Sequence, residues 1–305
     1  YIVKSTEVEK ILKNKGCKCV FFKSTIFFRI QSILQKSFLI NSLLKKFNIK
    51  NNFENFLLNK KFDIIYFNSP TIFSTFLEEI PFVMNIYEMQ HRTDNYFPEY
   101  RKSGHSLDVR DEIILNAVKK SFKLIVATKK DKKLLKQLYN SYDRNVEIQP
   151  YVPQLPNLYQ NQYKNENFKE IFKSLKITAK HIFFYPAQFW PHKNHKYIID
   201  IIKFIKKSDR EDIKIIFTGH DKGNKGYISR AINDENLNKN FIILDYVSDK
   251  ELISLYLNCS ALIMPTFVGH STLPLYEAFY FKLPVFFTEG LLDDKLRDLV
   301  YEIDI

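Results

Sequence analysis

Short apolar runs bounded by charged or turn residues alternate along this chain with stretches whose apolar residues recur every three or four positions. FDIIYFNS (62–69), PFVMNIYE (81–88), KLIVAT (123–128) and VEIQP (146–150) are the runs of the first half, and each reads as a strand. STEVEKILKNK (5–15) reads as a helix capped by Ser5 or Thr6 and stopped at Gly16, with CKCVFF following as a strand. Helices are also predicted over 107–121 and 129–139. The alternation resumes with HIFFYPA (181–187), IKIIFTG (213–219), FIILDY (241–246), ALIMPT (261–266) and PVFFT (284–288), separated by helices over 194–207, 225–235, 248–258 and 273–281. Apolar strands alternating with helices predict parallel sheets covered on both faces. The expected fold is α/β, two Rossmann-like doubly wound domains facing a cleft.

Pro150, Pro153 and Pro156, followed by an Asn- and Gln-rich stretch to about residue 168, form the best linker. The expected domains are therefore 1–152 and 179–305, joined by 153–178. Ligands of such sheets sit outside the carboxyl ends of the strands, so the strand-to-helix loops should carry the chemistry.

Charge and composition sharpen this picture. The net charge of +12 is lopsided: residues 1–150 carry 26 basic and 15 acidic side chains, residues 151–305 carry 20 and 19. A uniform nucleic-acid coat is excluded, and the phenylalanines fall in strand and helix-stripe positions rather than interleaved with exposed basic residues, so no nucleic-acid partner is expected. Within the basic half, residues 24–47 place Ile26, Phe27, Ile30, Ile33, Leu34 and Phe38 near helical spacing, with Arg29, Lys36, Lys45 and Lys46 between. This is either a basic amphipathic helix on an anionic membrane surface or a stripe packed on the first sheet. No apolar run approaches the ~18 residues of a spanning helix. No signal peptide opens the chain, and Cys17, Cys19 and Cys259 are too few for a disulfide framework. A cytoplasmic protein, with peripheral contact at the inner membrane face as an option, is expected.

Two loops stand out. PAQFWPHKNH (186–195) ends a strand and opens a helix, placing Lys193 where helix amides and the helix dipole favour an anion. His192 and His195 are three apart, but no carboxylate or Cys near them in sequence would complete a metal site. PTFVGHSTLPLYEA (265–278) runs from a strand through Gly269, His270, Ser271 and Thr272 into a helix with Pro274 in its first turn. Gly269 allows close backbone approach, and the amides of Ser271, Thr272 and Leu273 would point from the helix N-terminus. Glu277, one turn further on, can accept hydrogen bonds from sugar hydroxyls or merely complement the dipole.

The order PAQFWPHKNH, IIFTGHD, LDYVSDKEL and LIMPTFVGHSTLPLYEAFYFKLPVFFTE resembles the donor domain of retaining family-4 glycosyltransferases with the GT-B fold. IYEMQHRTDNYFPEY and KLIVATKKDKKLL resemble the acceptor domain of the same family, in its bacterial polysaccharide and lipopolysaccharide branch. The resemblance covers roughly residues 60–300 and implies a UDP-, GDP- or dTDP-linked sugar as donor, a saccharide or lipid-linked acceptor and no obligatory cofactor or metal. It further implies that Gln188, Lys193, Gly219, Gly269, His270, Ser271, Thr272 and Leu273 line the diphosphate and sugar site. Tyr246 and Val247 would meet the base and Glu277 the ribose. His91, beside Arg92, would face the transferred sugar. Gln188 stands where relatives often carry arginine, Gly269 where they carry the first of two glutamates, and Tyr87 where many carry histidine. By the same resemblance the chain is a piece lacking the first strand and the closing helices. Other GT-B enzymes, such as a nucleotide-sugar epimerase or a phosphorylase, and a binding-only relic are the alternatives. Of only seven glycines, four (Gly219, Gly223, Gly226 and Gly269) fall in or beside these loops.

Overall fold

A computed structural model describes residues 1–3, 5–23, 51–102, 107–269 and 272–305. The amphipathic segment 24–47, His270 and Ser271 lie outside the described residues. The chain forms two compact units that exchange segments along the sequence. The first holds Tyr1–Tyr87, Asp108–Ile125 and Lys136–Glu147; the second holds Glu88–Leu107, Val126–Leu135 and Ile148–Ile305.

In the first unit a two-residue strand β1 (Ile2–Val3) pairs in parallel with β2 (Val20–Phe21). The helix Thr6–Asn14 lies between them, its end amide capped by the Ser5 side chain. A two-residue strand thus precedes the first helix. The four-stranded sheet has the order β3 (Ile65–Phe67), β4 (Phe82–Asn85), β5 (Lys123–Val126), β6 (Val146–Ile148). Its strands are those the apolar runs predict, trimmed at their ends. A helix the sequence pattern did not single out, Asn52–Asn59, is capped by Asn51, whose side chain accepts from the Phe53 amide at 2.8 Å. Phe53 packs edge-on against Phe22 and Phe73, with ring centroids 5.1 and 4.8 Å away. Next to it, Glu54 is 0% exposed, and its Oε1 accepts the backbone amides of Glu78 (2.6 Å), Glu79 (2.7 Å) and Ile80 (3.4 Å). One carboxylate therefore satisfies the turn that leads into β4.

The second unit contains a six-stranded sheet in the order β12-β11-β10-β7-β8-β9, parallel throughout. Its strands are β7 (His181–Pro186), β8 (Ile213–Thr218), β9 (Phe241–Leu244), β10 (Ala261–Met264), β11 (Val285–Thr288) and β12 (Tyr301–Ile303). The chain builds outward from β7 through β8 to β9, then returns to the other side of β7 with β10 and builds outward again. Phe184, Tyr185, Ile216, Phe217, Leu262 and Phe287 are fully buried, as strands covered on both faces require. Ser248 and Glu251 form a reciprocal capping box that starts the helix Asp249–Asn258. The predicted linker is partly built into this unit. Short helical turns span Leu155–Leu158, Tyr159–Tyr163 and Phe168–Ser174. Leu155 and Phe168 enter the core, and Ser254 donates to the Phe168 carbonyl at 2.8 Å. Leu, Phe and Tyr among the Asn and Gln residues supply enough apolar surface to hold the stretch down. No helix among the described residues is long and apolar enough to cross a membrane.

Glu54→Ala is expected to lower stability by about 1–3 kcal/mol, because it leaves the amides of Glu78, Glu79 and buried Ile80 without their acceptor. Glu54→Gln, which keeps one acceptor oxygen, should lose clearly less. Urea unfolding followed by circular dichroism measures both, and an unchanged midpoint for the alanine variant would refute the role.

Candidate active site

The strand order reverses at β7, between β10 and β8, the kind of position where parallel α/β sheets bind ligands outside their strand ends. Both candidate loops sit at this point. After β7 the chain makes a tight turn, Pro191–Lys193, and enters the helix His195–Phe204 through Asn194 in the left-handed region (φ 53°). Asparagine tolerates that conformation, which turns the chain sharply. The loop after β10 is tied directly to this turn. The His192 carbonyl accepts the Phe267 amide at 2.9 Å and the Thr266 hydroxyl at 3.3 Å. Thr288, at the end of β11, donates to the Thr266 carbonyl at 2.9 Å. Lys193 and Gly269 therefore belong to one assembly. Gly269 has φ 112°, which favours glycine.

Lys193 carries the most distinctive electrostatics. Its ammonium makes no hydrogen bond or ion pair with any described residue. Burial pushes its pKa down to about 8, while the charges of Glu88 and Glu99 oppose that shift. A half-buried cation without a counter-ion favours an anion. Two helix N-termini face the same reversal. Neither Asn194 nor Thr272 caps its helix with a side-chain hydrogen bond. Ser5, Asn51, Asn167 and Ser248 cap theirs, whereas Asn224 and Asp293 also leave theirs uncapped. Tyr197 donates its amide to the Asn194 carbonyl at 3.1 Å; the other first amides of the two helices receive no acceptor from the Asn194 or Thr272 side chain. Leu273 is itself exposed, at the mouth of the second of these helices.

The loop after β8 closes against the loop after β7. Gly219 has φ 150°, and a Cβ there would stand 2.4 Å from the Ala187 carbonyl oxygen and 2.8 Å from Gln188 Cα. The Gly219 amide donates to the Asp245 carbonyl at 3.0 Å, and the Phe189 amide to the His220 carbonyl at 3.1 Å. Gly219 is therefore a spacer between the ends of three strands. Beyond it, Tyr246 is 75% exposed and stacks on His220, with centroids 6.0 Å apart. Val247 follows, half-buried. Gln188 is exposed, and its Oε1 accepts Trp190 Nε1 at 2.9 Å.

Glu277 lies one turn inside its helix and is 8% exposed. Tyr256 donates to its Oε2 at 2.7 Å, and no described residue donates to Oε1. Burial raises the Glu277 pKa, the Tyr256 hydrogen bond opposes this, and the Asp249 charge adds to it. The second oxygen is thereby free to accept from a ligand.

His91 is buried on the short helix Gln90–Thr93, and Arg92 beside it is exposed. The same segment supplies residues that sequence reasoning missed. Glu88 acts on Lys193 through its charge, and Glu99 accepts from both the amide and Nδ1 of His192. Their only sequence signal was three acids within EMQHRTDNYFPEY, a block read for its histidine and arginine. The two histidines flanking Lys193 serve separate purposes. His192 pairs with Glu99, while His195 is 0% exposed and stacked on Phe189 with centroids 4.6 Å apart. Burial drives the His195 pKa down to about 3, so its ring is a neutral core group. Among the described residues, no three His, Cys, Asp or Glu side chains gather to hold a metal ion.

Residues 166–291, within this unit, match the family described as glycosyl transferases group 1. The whole fold is of the GT-B type found in several solved glycosyltransferases. HepE of Anabaena, solved with UDP and glucose, is 14% identical with a TM-score of 0.64, over 94% of this chain and 72% of that one. A glycosyltransferase of Rickettsia africae is 16% identical with a TM-score of 0.60, over 94% and 70%. WaaG, a glycosyltransferase involved in lipopolysaccharide biosynthesis, is 17% identical with a TM-score of 0.56, over 77% and 62%. No curated protein matches the sequence. At these identities the structures establish the fold.

Gly219→Ala should displace the Ala187–Gln188 backbone and cost about 1–3 kcal/mol in stability. Thermal unfolding checks this, with Gly223→Ala as the comparison because open space surrounds Gly223. Both glycines have positive φ, so equal losses would show that backbone conformation, not the contact with Ala187, sets the cost.

Proposed function

We propose that the protein is a retaining, family-4-type glycosyltransferase. It moves a hexose-type sugar from a nucleotide-diphosphate sugar to a saccharide or lipid-linked saccharide in cell-surface polysaccharide synthesis. The observation that carries the donor site is the half-buried Lys193 ammonium at the strand-order reversal, which has no hydrogen-bond or ion-pair partner among the described residues. Donor binding is assigned to residues 179–305 and acceptor binding to 1–152. The UDP held by the HepE structures makes UDP the first probe, and the relationship to WaaG favours a surface-glycan pathway.

In this reading Lys193 meets the diphosphate, aided by the amides of Thr272 and Leu273 and by His270 and Ser271. Gln188, Gly219 and Gly269 leave room for the diphosphate and sugar. Glu277 accepts from the ribose hydroxyls through Oε1, its other oxygen being held by Tyr256. Tyr246 and Val247 form the platform for the base. His91 faces the transferred sugar. As the glycosidic bond to the diphosphate breaks, negative charge grows on the leaving phosphate. Fixed positive groups stabilise that charge without reorganising. The acceptor hydroxyl attacks from the same face, and its proton passes to the leaving phosphate. No enzymic nucleophile is invoked. Lys193 and the helix N-termini take the part a divalent ion plays elsewhere, so transfer should proceed with excess EDTA present. Abolition by EDTA would reject that part of the mechanism. The excess basic charge of residues 1–150 suits an anionic or membrane-borne acceptor at the inner face of the membrane.

Calorimetric titration with UDP across pH 7–10 tests the donor site. Lys193 is charged below about 8 in the free protein and neutral above it. Bound phosphate stabilises the charged form and raises the pKa of the complex. Affinity should therefore be full below pH 8 and fall by roughly tenfold per pH unit above it until the bound group also titrates. Lys193→Ala should bind weakly at every pH. Glu277→Ala should weaken binding by about 1.5–3 kcal/mol without moving the pH midpoint. UDP affinity unchanged by pH and by both substitutions would reject the site.

A further inference from the structure

The segment before residue 107 touches the donor loops through a buried carboxylate that the reading above leaves without a role. Glu99, on the short helix Pro98–Lys102, is 8% exposed. Its Oε1 accepts the His192 backbone amide at 3.0 Å and His192 Nδ1 at 2.5 Å. One oxygen therefore fixes both the backbone and the ring of the residue immediately before Lys193. Two aromatic neighbours reinforce the grip. Tyr100, itself buried, stacks on the His192 ring with centroids 5.4 Å apart. Phe97 packs on the His192 ring at 6.1 Å and on Phe267 at 5.7 Å. The same three residues thus brace the turn after β7 and the loop after β10, which His192 already ties together through its carbonyl.

We propose that Glu99 is a positioning residue of the donor site: by clamping His192 it fixes the Pro191–Lys193 turn and so sets where the Lys193 ammonium stands. The inference rests on the donor-site reading above only for the ligand; the clamp itself is a contact within the protein. Glu99 touches no substrate, and its effect passes entirely through His192 and Lys193. It also acts electrostatically. Its charge and that of Glu88 are the two that favour the charged form of Lys193. On His192, burial and the Lys193 charge disfavour protonation, while Glu99 and Asp94 favour it. A neutral His192 with its proton on Nδ1 satisfies the contact. The arrangement gives a short helix, about 90 residues earlier in the chain, control over donor affinity.

Glu99→Gln and Glu99→Ala in the full chain test this, with Lys193→Ala as reference. The glutamine keeps an oxygen that can accept from His192 but removes the charge; the alanine removes both. The first readout needs no ligand: the pH dependence of Lys193 acetylation by trace acetic anhydride, resolved by mass spectrometry. The wild-type midpoint should lie near 8, and in both variants it should move to lower pH because a carboxylate that favoured the charged form is gone. The second readout is UDP affinity at pH 7. Glu99→Ala should bind about tenfold more weakly and Glu99→Gln within about threefold of wild type. A purely structural Glu99 would lower the unfolding temperature of the variants yet leave the Lys193 midpoint in place, and that result overturns the proposal. Wild-type UDP affinity in a folded Glu99→Ala protein overturns it equally. Failure of the donor-site reading has another signature, namely Lys193→Ala binding UDP as well as wild type. The acetylation midpoint still decides the role of Glu99 in that case, and if the alanine variant does not fold the glutamine variant decides it.

Discussion

In the six-stranded sheet all strands run the same way, so every strand ends at one edge and every strand-to-helix loop opens there. Such an edge usually closes on itself, because neighbouring loops cross in the same sense and pack together. Here the chain builds outward from β7, then returns across it, so that the strand order reverses at that point. The rest of the site depends on this one topological constraint. It brings residues 187–194 beside residues 265–269, with Thr266 hydrogen-bonded to His192, 74 positions earlier in the sequence. The helices His195–Phe204 and Leu273–Tyr280 start from these two loops. The hydrogen bonds from Phe267 and Thr266 to the His192 carbonyl then lock the two loops in register.

Within that frame the chemistry is a balance of charge against burial. An ammonium half-withdrawn from water loses hydration, and Lys193 registers the loss as a weakened hold on its proton. Two carboxylates, Glu88 and Glu99, partly offset it without forming an ion pair, which would satisfy the cation and close the site. Around this cation the aromatic packing is dense. His195 is sealed between Phe189, Tyr185 and Phe217, so the helix that starts there has a rigid base. Gly219 lets the strand ends approach more closely than any side chain would permit. Rigidity on this scale suits a reaction in which fixed groups, rather than mobile ones, stabilise a leaving phosphate.

The shortage of glycine takes on meaning here. In a chain with seven glycines, Gly219 and Gly269 occupy positions with φ of 150° and 112°, and one of them has backbone against it where a Cβ would be. Gly223 turns the loop after β8, where Asp221 accepts the Gly223 amide at 2.7 Å and is held in its ionised form by that contact. Gly226, by contrast, sits in an ordinary helical turn. Backbone geometry thus separates Gly219, Gly223 and Gly269, all with positive φ, from Gly226.

Much of the fold was legible in the sequence because parallel strands and their helices are written in local apolar patterning. The strands at 181–186, 213–218 and 261–264 and the helix 129–139 follow directly from it. Lys193, Gly269 and Glu277 were legible for the same reason, since each lies at a strand end or in a helix start that patterning locates. Strand β12 and the helix Asn52–Asn59 were not, being short elements whose apolar residues match no long period. The turns at 155–174 were hidden by their polar composition and held by a few buried side chains. Only the tertiary structure decided that Glu88 and Glu99 act on Lys193, that Tyr256 holds one oxygen of Glu277, and that His192 and His195 have different duties. Periodicity reports which way a side chain faces on its own element. It carries no information about what a distant segment brings to meet it, and the charge balance of this site is made of such meetings.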